Sequence, residues 1–357
     1  MKRAATILIV AFFVLIDSRI AWSWSGDGHR TVGAVAGLIL EQYPKVRDRV
    51  ASILGGNSLA EVSVWADCAK GFRYCHRPPS DEEHAFAVQN RAHHAFHYTD
   101  VPIQQTAYHA GTAGTAENDI VAVTAYAINV LREKAPNYGP AVLNERDALW
   151  LLVHTVGDIH QPLHVGAVYF DSNCATMVDP NVAGARLPSF GIDSTIASTK
   201  GGNDLKISKS RNLHAYWDGG TVKGAMRLVG VRDGSIEGFG KVIVGAPPQA
   251  WRPSGDPETW PTQWATESLT LARSALTMVE IGPGTPDGAE AGSKCTWPVT
   301  LQRDYANWSN RQTLTQLGKA GFRLAELLRV IFTPQQGSGQ GIGDDQPTGS
   351  ISVRPRR

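Results

Sequence analysis

Histidine and aspartate recur four residues apart in this chain, next to strongly apolar runs. In LWLLVHTVGDIHQPLH, His154 and Asp158 stand at i and i+4, and His164 follows the turn expected at Pro162. NLHAYWD repeats the spacing with His214 and Asp218. On a helix this spacing sets an imidazole and a carboxylate on one face, so two helices can present both groups to one point. A single such pair is more often a satisfied ion pair than a ligand pair. Two pairs and a third histidine point instead to metal, because buried imidazole and carboxylate groups must be hydrogen-bonded, ion-paired or metal-bound to offset desolvation. Further candidates are Asp67 in VSVWADCAK, His97 in HHAFHYTDVP and His29 in WSGDGH. Nitrogen and carboxylate donors of this kind suit zinc.

The elements that must carry these residues read as helices. Apolar positions recur at helical spacing in Val32–Leu40, Ile120–Leu131, Leu143–Val156 and Leu314–Ile331, with a further candidate over Ser268–Met278. No run alternates in strand fashion for long. The fold class expected is therefore all-α, a single compact multi-helix domain over residues 24–333. Residues 70–84 and 167–203, rich in Gly, Pro, Ser and Asp, are expected to be surface loops. Residues 334–357, almost devoid of apolar side chains, are expected to form a flexible tail.

Of 357 residues, 34 are Lys or Arg and 33 Asp or Glu, a formal net charge of +1. That balance argues against gripping duplex nucleic acid through a broad basic surface, although a bound metal would add charge the count omits. Lys2 and Arg3 precede an uncharged apolar run, Ala4 to Ile16, too short to span a bilayer but suited to a signal peptide. Ala21 and Ser23 fit cleavage after residue 23, which would remove three cations and one acid and leave Trp24 first. Its free α-amine and its carbonyl could then chelate a metal. Export also makes two disulfides plausible among Cys68, Cys75, Cys174 and Cys295. Three connectivities are open; Cys68 and Cys75 are near enough to close a short loop, which would leave Cys174 with Cys295. His76, His84, His93, His94 and His109 read as solvated or hydrogen-bonded side chains, and His160 as a residue that fixes a ligand.

Taken in order, Trp24 to His29, WAD at 65–67, HYTD at 97–100, HTVGDIHQPLHVG at 154–166, GGND at 201–204 and NLHAYWD at 212–218 make the chain resemble a known family. It is similar to the single-strand-specific zinc nucleases of the mung bean nuclease type, secreted all-α enzymes related to zinc-dependent phospholipase C. A weaker match lies in AGFRLAELL at 320–328. The resemblance implies a cleft with three zinc ions. One would bind Asp67, His97, His154 and Asp158; a second the amine and carbonyl of Trp24, His29 and the shared Asp158; the third His164, His214 and Asp218. A water bridging the paired ions would become acidic enough to supply hydroxide. Asp67 would orient it, Lys70 would contact phosphate, Tyr98 would stack an unpaired base, and Asn203 would contact substrate.

The activity so implied is hydrolysis of single-stranded DNA and RNA to 5′-phosphorylated products, with 3′-nucleotidase activity as a further expectation. The protein would be secreted or periplasmic, monomeric, without a stable protein partner or membrane anchor. The loop after Asp67 and the stretch between His164 and Gly202 match the family less closely, and Pro102 and Gly219 stand where some members hold the base with polar side chains. Two other readings compete. A phospholipase C would share the metal core, but with a longer separation between its first Trp and His and a Glu in place of Asp218. An exported zinc-binding protein would close every coordination position, whereas catalysis needs an open one.

Overall fold

The structure, a computed structural model, describes residues 24–136, 138–182, 196–245, 247–286 and 295–333. The expected signal segment 1–23 and tail 334–357 lie outside the described residues.

Helices form where the apolar periodicity and capping residues agree. The first six are α1 (Gly26–Leu40), α2 (Pro44–Leu54), α3 (Leu59–Val62), α4 (Trp65–Ala69), α5 (Phe72–Cys75) and α6 (Asp81–Gln89). Then come α7 (Ile120–Leu131), α8 (Glu145–Ile159), α9 (Leu213–Ala215), α10 (Thr221–Leu228), α11 (Ile236–Ile243), α12 (Trp260–Thr277) and α13 (Tyr305–Phe332). The axis of the molecule is α8. Its N-cap Asn144 accepts the amide of Asp147, Glu145 and Asp147 complement the positive end of the helix, and every residue from Ala148 to Ile159 is buried. A helix buried on all sides must be surrounded, and α7, α13, α2, α1, α4 and α12 pack around this one. Asp119 caps α7 by accepting the amides of Val121 and Ala122.

Strands correct the all-α expectation. Among the described residues β1 (Val101–Pro102) pairs in parallel with β2 (Gly166–Ala167), and β3 (Tyr169–Asp171) lies between β4 (Met177–Val178) and β5 (Ile196–Ser198). A five-stranded sheet contains β6 (Leu205–Ser208), β7 (Arg211–Asn212), β8 (Val279–Ile281), β9 (Thr285–Pro286) and β10 (Cys295–Leu301), in the order β7-β6-β10-β8 with β9 also on β10. Nine of these strands are two to four residues long, too short for a period of two to register. The exception is β10, which buries Cys295, Trp297 and Val299 and leaves Thr296, Pro298 and Thr300 more open. The two expected loops change accordingly. Residues 70–84 hold α5 and the capped start of α6, where Ser80 and Glu83 form a reciprocal capping box. Residues 167–203 contribute β3, β4 and β5.

Apolar side chains gather into a large helical core around α8 and a smaller one on the sheet side, which includes Leu163, Leu213, Trp217, Trp297 and Tyr305. The disulfides join Cys68 to Cys75 and Cys174 to Cys295, with Cα atoms 5.0 and 5.9 Å apart. The second ties the turn after β3 to β10. Among the described residues no helix is long and apolar enough to cross a membrane.

Candidate metal centre

Eight of the nine expected metal ligands, all but Trp24, fall into three groups of side chains whose ligand atoms approach within 4.8 Å of one another: His29, His154 and Asp158; Asp67, His97 and His154; and His164, His214 and Asp218. All eight side chains are buried. The first two groups hang on α1, α4, α8 and the 3₁₀ turn His93–His97, against the helical core. The third stands on the sheet-side core, because Leu163, Leu213 and Trp217, the neighbours in sequence of its three members, are core residues there. Its geometry also departs from the α-helix that the spacing suggests. His214 lies on α9, three residues long, and Asp218 on the π-helical turn Tyr216–Gly220, a rare geometry concentrated at functional sites.

Asp158 is the hub. Its Oδ1 lies 3.1 Å from His29 Nε2, while Oδ2 lies 2.9 Å from His154 Nε2 and 3.2 Å from His97 Nδ1. Three histidines are held by backbone carbonyls through Nδ1: His154 by Ser63 (2.7 Å), His164 by His97 (2.6 Å) and His214 by Gly201 (2.8 Å). A carbonyl only accepts, so each Nδ1 carries a proton, and each ring turns its Nε2 toward the carboxylates. His164 Nε2 and Asp218 Oδ2 are fully buried and have no hydrogen-bond partner among the described residues. Imidazole nitrogens facing carboxylate oxygens in a dry interior need a positive charge between them, a proton or a metal ion. Nitrogen and carboxylate donors, with ring orientation fixed from behind, fit a zinc-like divalent ion.

The electrostatics agree. Burial would raise the Asp158 carboxyl, but His154, His164 and His29 outweigh it and hold the group well below the usual range. For Asp67, burial is likewise outweighed by Lys70, His154 and His97, so this carboxyl too stays ionised. Burial and Lys70 bring the His97 imidazole down to about 3, leaving it neutral. His164 goes the other way: burial is overcome by Asp158 and Asp218, and it rises to about 9. Its surroundings call for positive charge.

Trp24 is wholly buried beside these groups. Its indole donates to Gly157 O at 2.8 Å, one residue before Asp158, and the next amide, Ser25, donates to Asp218 O at 2.8 Å. Lys70 is not a solvated surface residue. Its side chain is 7% exposed, with Nζ 2.7 Å from Asp67 Oδ1 and 4.5 Å from the centre of the Tyr74 ring. Tyr98, next to His97, is 45% exposed. Asn203 donates its side-chain amide to Lys200 O within its own turn. His160 turns away from the ligands, donating Nδ1 to Val156 O and facing Arg323 Nη1 at 3.1 Å with Nε2.

Three further residues support the ligands, and sequence reasoning missed two of them, Gln161 and Gly157. Gln161, fully buried, donates to Asp218 Oδ1 at 2.7 Å and accepts the Leu163 amide; a lone amide between His160 and Pro162 was its only signal. Gly157 makes room for an imidazole, since a Cβ there would lie 2.8 Å from His29 Nδ1. Gly201, at φ +56°, would put a Cβ 2.0 Å from Leu163 O, so its turn needs glycine for both conformation and space.

Comparison with known proteins agrees with this centre. The family model for S1/P1 nuclease matches residues 24–333. Endonuclease 1 of Arabidopsis thaliana is 23% identical over 350 residues, covering 92% of this chain and 93% of that protein. Nuclease S1 of Aspergillus oryzae is 30% identical over 219 residues, 59% of each chain. Endonuclease 2 of Arabidopsis thaliana is 23% identical over 228 residues, 61% of this chain and 62% of that one. The chain thus belongs to the S1/P1 nuclease family and is a nuclease, a hydrolase acting on phosphodiester bonds.

Proposed function

We propose that the protein is an exported zinc nuclease that cleaves single-stranded DNA and RNA internally to 5′-phosphorylated products and removes 3′-phosphates from nucleotides. The reading rests above all on the buried Nε2 atoms of His154, His164 and His214, aimed by backbone carbonyls at Asp158 and Asp218. Residues 1–23 act as a cleaved signal and 24–333 as the catalytic domain of a monomer, with the product secreted or periplasmic.

Three zinc ions are assigned. Asp67, His97, His154 and Asp158 hold one; His29, Asp158 and the freed amine and carbonyl of Trp24 hold the second; His164, His214 and Asp218 hold the third. Zinc so bound supplies Lewis acidity, acidifying water and neutralising charge on phosphoryl oxygens. Asp67, kept ionised beside Lys70, orients the attacking water. Lys70 adds positive charge for the phosphate at the same place. Tyr98 offers an open aromatic face to a base, and only an unpaired base can use it. Asn203 contacts substrate through its side-chain oxygen, because its amide nitrogen is engaged with Lys200 O.

The test is a secreted preparation analysed for first residue, metal content and hydrolysis of single-stranded DNA, RNA and phosphatidylcholine. Expected are Trp24 as first residue, three zinc ions and cleavage of both nucleic acids. Phosphatidylcholine cleavage with nucleic acids intact would make it a phospholipase C. Three zinc ions without phosphodiesterase activity at any pH would make it a metal-binding protein, and a first residue other than Trp24 removes the chelate.

A further inference from the structure

A cavity of about 550 Å³ opens on the segment that carries Asp218, lined by Arg211 on β7, Tyr216 and Gly220 on the π-helical turn, and Lys223, Gly224 and Arg227 on α10. Its chemistry is one-sided. Arg211, Lys223 and Arg227 are exposed cations, and no carboxylate lines the cavity. Arg227 pairs with Asp233 at 2.9 Å, while among the described residues Arg211 and Lys223 form no ion pair. Two exposed cations without a counter-charge beside a third create a local positive potential that attracts an anion.

Glycine shapes the floor. A Cβ on Gly220 would lie 2.0 Å from Arg211 Nη2, and one on Gly224 would lie 2.1 Å from Asn310 Oδ1. Both residues leave the helical face bare so that a guanidinium and an amide can lie across it. Arg211 is further held by the Tyr216 ring, 4.8 Å from Cζ to centroid, which fixes the plane of a group suited to phosphate. Gly219, the residue after Asp218, also lines the cavity, while no member of the three groups that would hold metal does.

We infer that this basic cavity binds the phosphodiester backbone of a nucleic-acid strand beyond the bond being cut, so that long strands are held by Arg211 and Lys223 in addition to the metal cleft. The inference rests on the nuclease reading above and adds a polymer-specific binding site to it. Each phosphate neutralised on a single strand contributes a slope of about −0.7 in log affinity against log salt, equivalent to about fivefold at 0.1 M.

The test compares kcat/KM for a 20-nucleotide oligothymidylate and for the dinucleotide dTpdT, as a function of salt, in the wild type, R211Q/K223Q and the exposed-cation control K45Q/R49Q. R211Q/K223Q should lower the 20-mer to dinucleotide ratio about 25-fold at 0.1 M salt and flatten the salt slope by about 1.4. R211K/K223R should restore the slope, and K45Q/R49Q should leave the ratio intact. Should R211Q prove unstable, K223E alone, at an exposed helical position, must still lower the ratio. An unchanged ratio in R211Q/K223Q overturns the inference, as does an equal loss on both substrates. Wild-type protein that cleaves neither substrate overturns the nuclease reading itself.

Discussion

Gly157→Ala tests whether the metal centre depends on sub-ångström packing. The new methyl would lie 2.8 Å from His29 Nδ1 and 3.2 Å from Cε1. Ordinary contact begins near 3.4 Å, so the ring must withdraw by roughly 0.6 Å. It has little room, being fully buried and stacked on His154 at a centroid distance of 4.0 Å and an interplanar angle of 15°. Two stability effects oppose each other. Alanine inside a helix gains about 1 kcal/mol over glycine, and overpacking costs about 1–3 kcal/mol, so the net loss is at most about 2 kcal/mol and the protein stays folded. Catalysis suffers more, because misplacing a group by about 1 Å can cost roughly a hundredfold in rate. A fall in kcat/KM of about ten- to a hundredfold is expected, with zinc lost on dialysis from the His29 group, while circular dichroism shows a cooperative melt. Gly37→Ala, with nothing within 4 Å of its new methyl, is the control and should stabilise by about 0.5–1 kcal/mol. Full zinc content and wild-type rates in folded Gly157→Ala would refute the placement of His29 at the centre.

Other outcomes follow from the same geometry. Asp158→Asn keeps the shape but removes the charge that meets His29, His97 and His154, so metal analysis should show two ions lost, not one. Burial, with His94 and Lys70, holds the His93 imidazole at about 4. The unfolded state therefore binds the extra proton between pH 6.5 and 4, and stability present above 6.5 is lost as pH falls through that window. Allowing for solvent screening this is worth about 1–2 kcal/mol, and His93→Phe should flatten the pH dependence of the melting temperature there. Removing the Cys174–Cys295 bridge, which spans 121 residues, should cost about 2–5 kcal/mol in denaturant unfolding without altering zinc content.

What could be read in advance depended on the length over which a pattern repeats. The helices α7 and α8 were legible because their apolar residues recur over several turns, and the His154–Asp158 pair was legible because α8 is a regular helix. The 3₁₀ turn under His97 and the π-helical turn under Asp218 have no period to read. Nor do strands of two to four residues, yet these strands build the core on which His164, His214 and Asp218 stand. Seven residues of β10 did alternate, and Cys295-Trp297-Val299 against Thr296-Pro298-Thr300 was the available signal.

The two histidines of HQPLH mark a sharper limit. His160 and His164 share residue type, motif and depth of burial, and within the motif only the turn at Pro162 separates them. A second signal lies more than 150 residues away. Arg323 interrupts the apolar run AGFRLAELL, and a buried guanidinium must find partners or forfeit its solvation. Its side chain is 1% exposed, with Glu267 Oε1 2.7 Å from Nη2 and His160 Nε2 3.1 Å from Nη1. Burial and Arg323 together keep His160 well below the ordinary imidazole range, which fixes it as the neutral acceptor an arginine needs. Pro162, meanwhile, ends the helical path and starts the 3₁₀ turn Pro162–His164, which carries His164 round to the carboxylates. A misplaced polar residue on a distant helix was therefore evidence about which histidine the centre could claim.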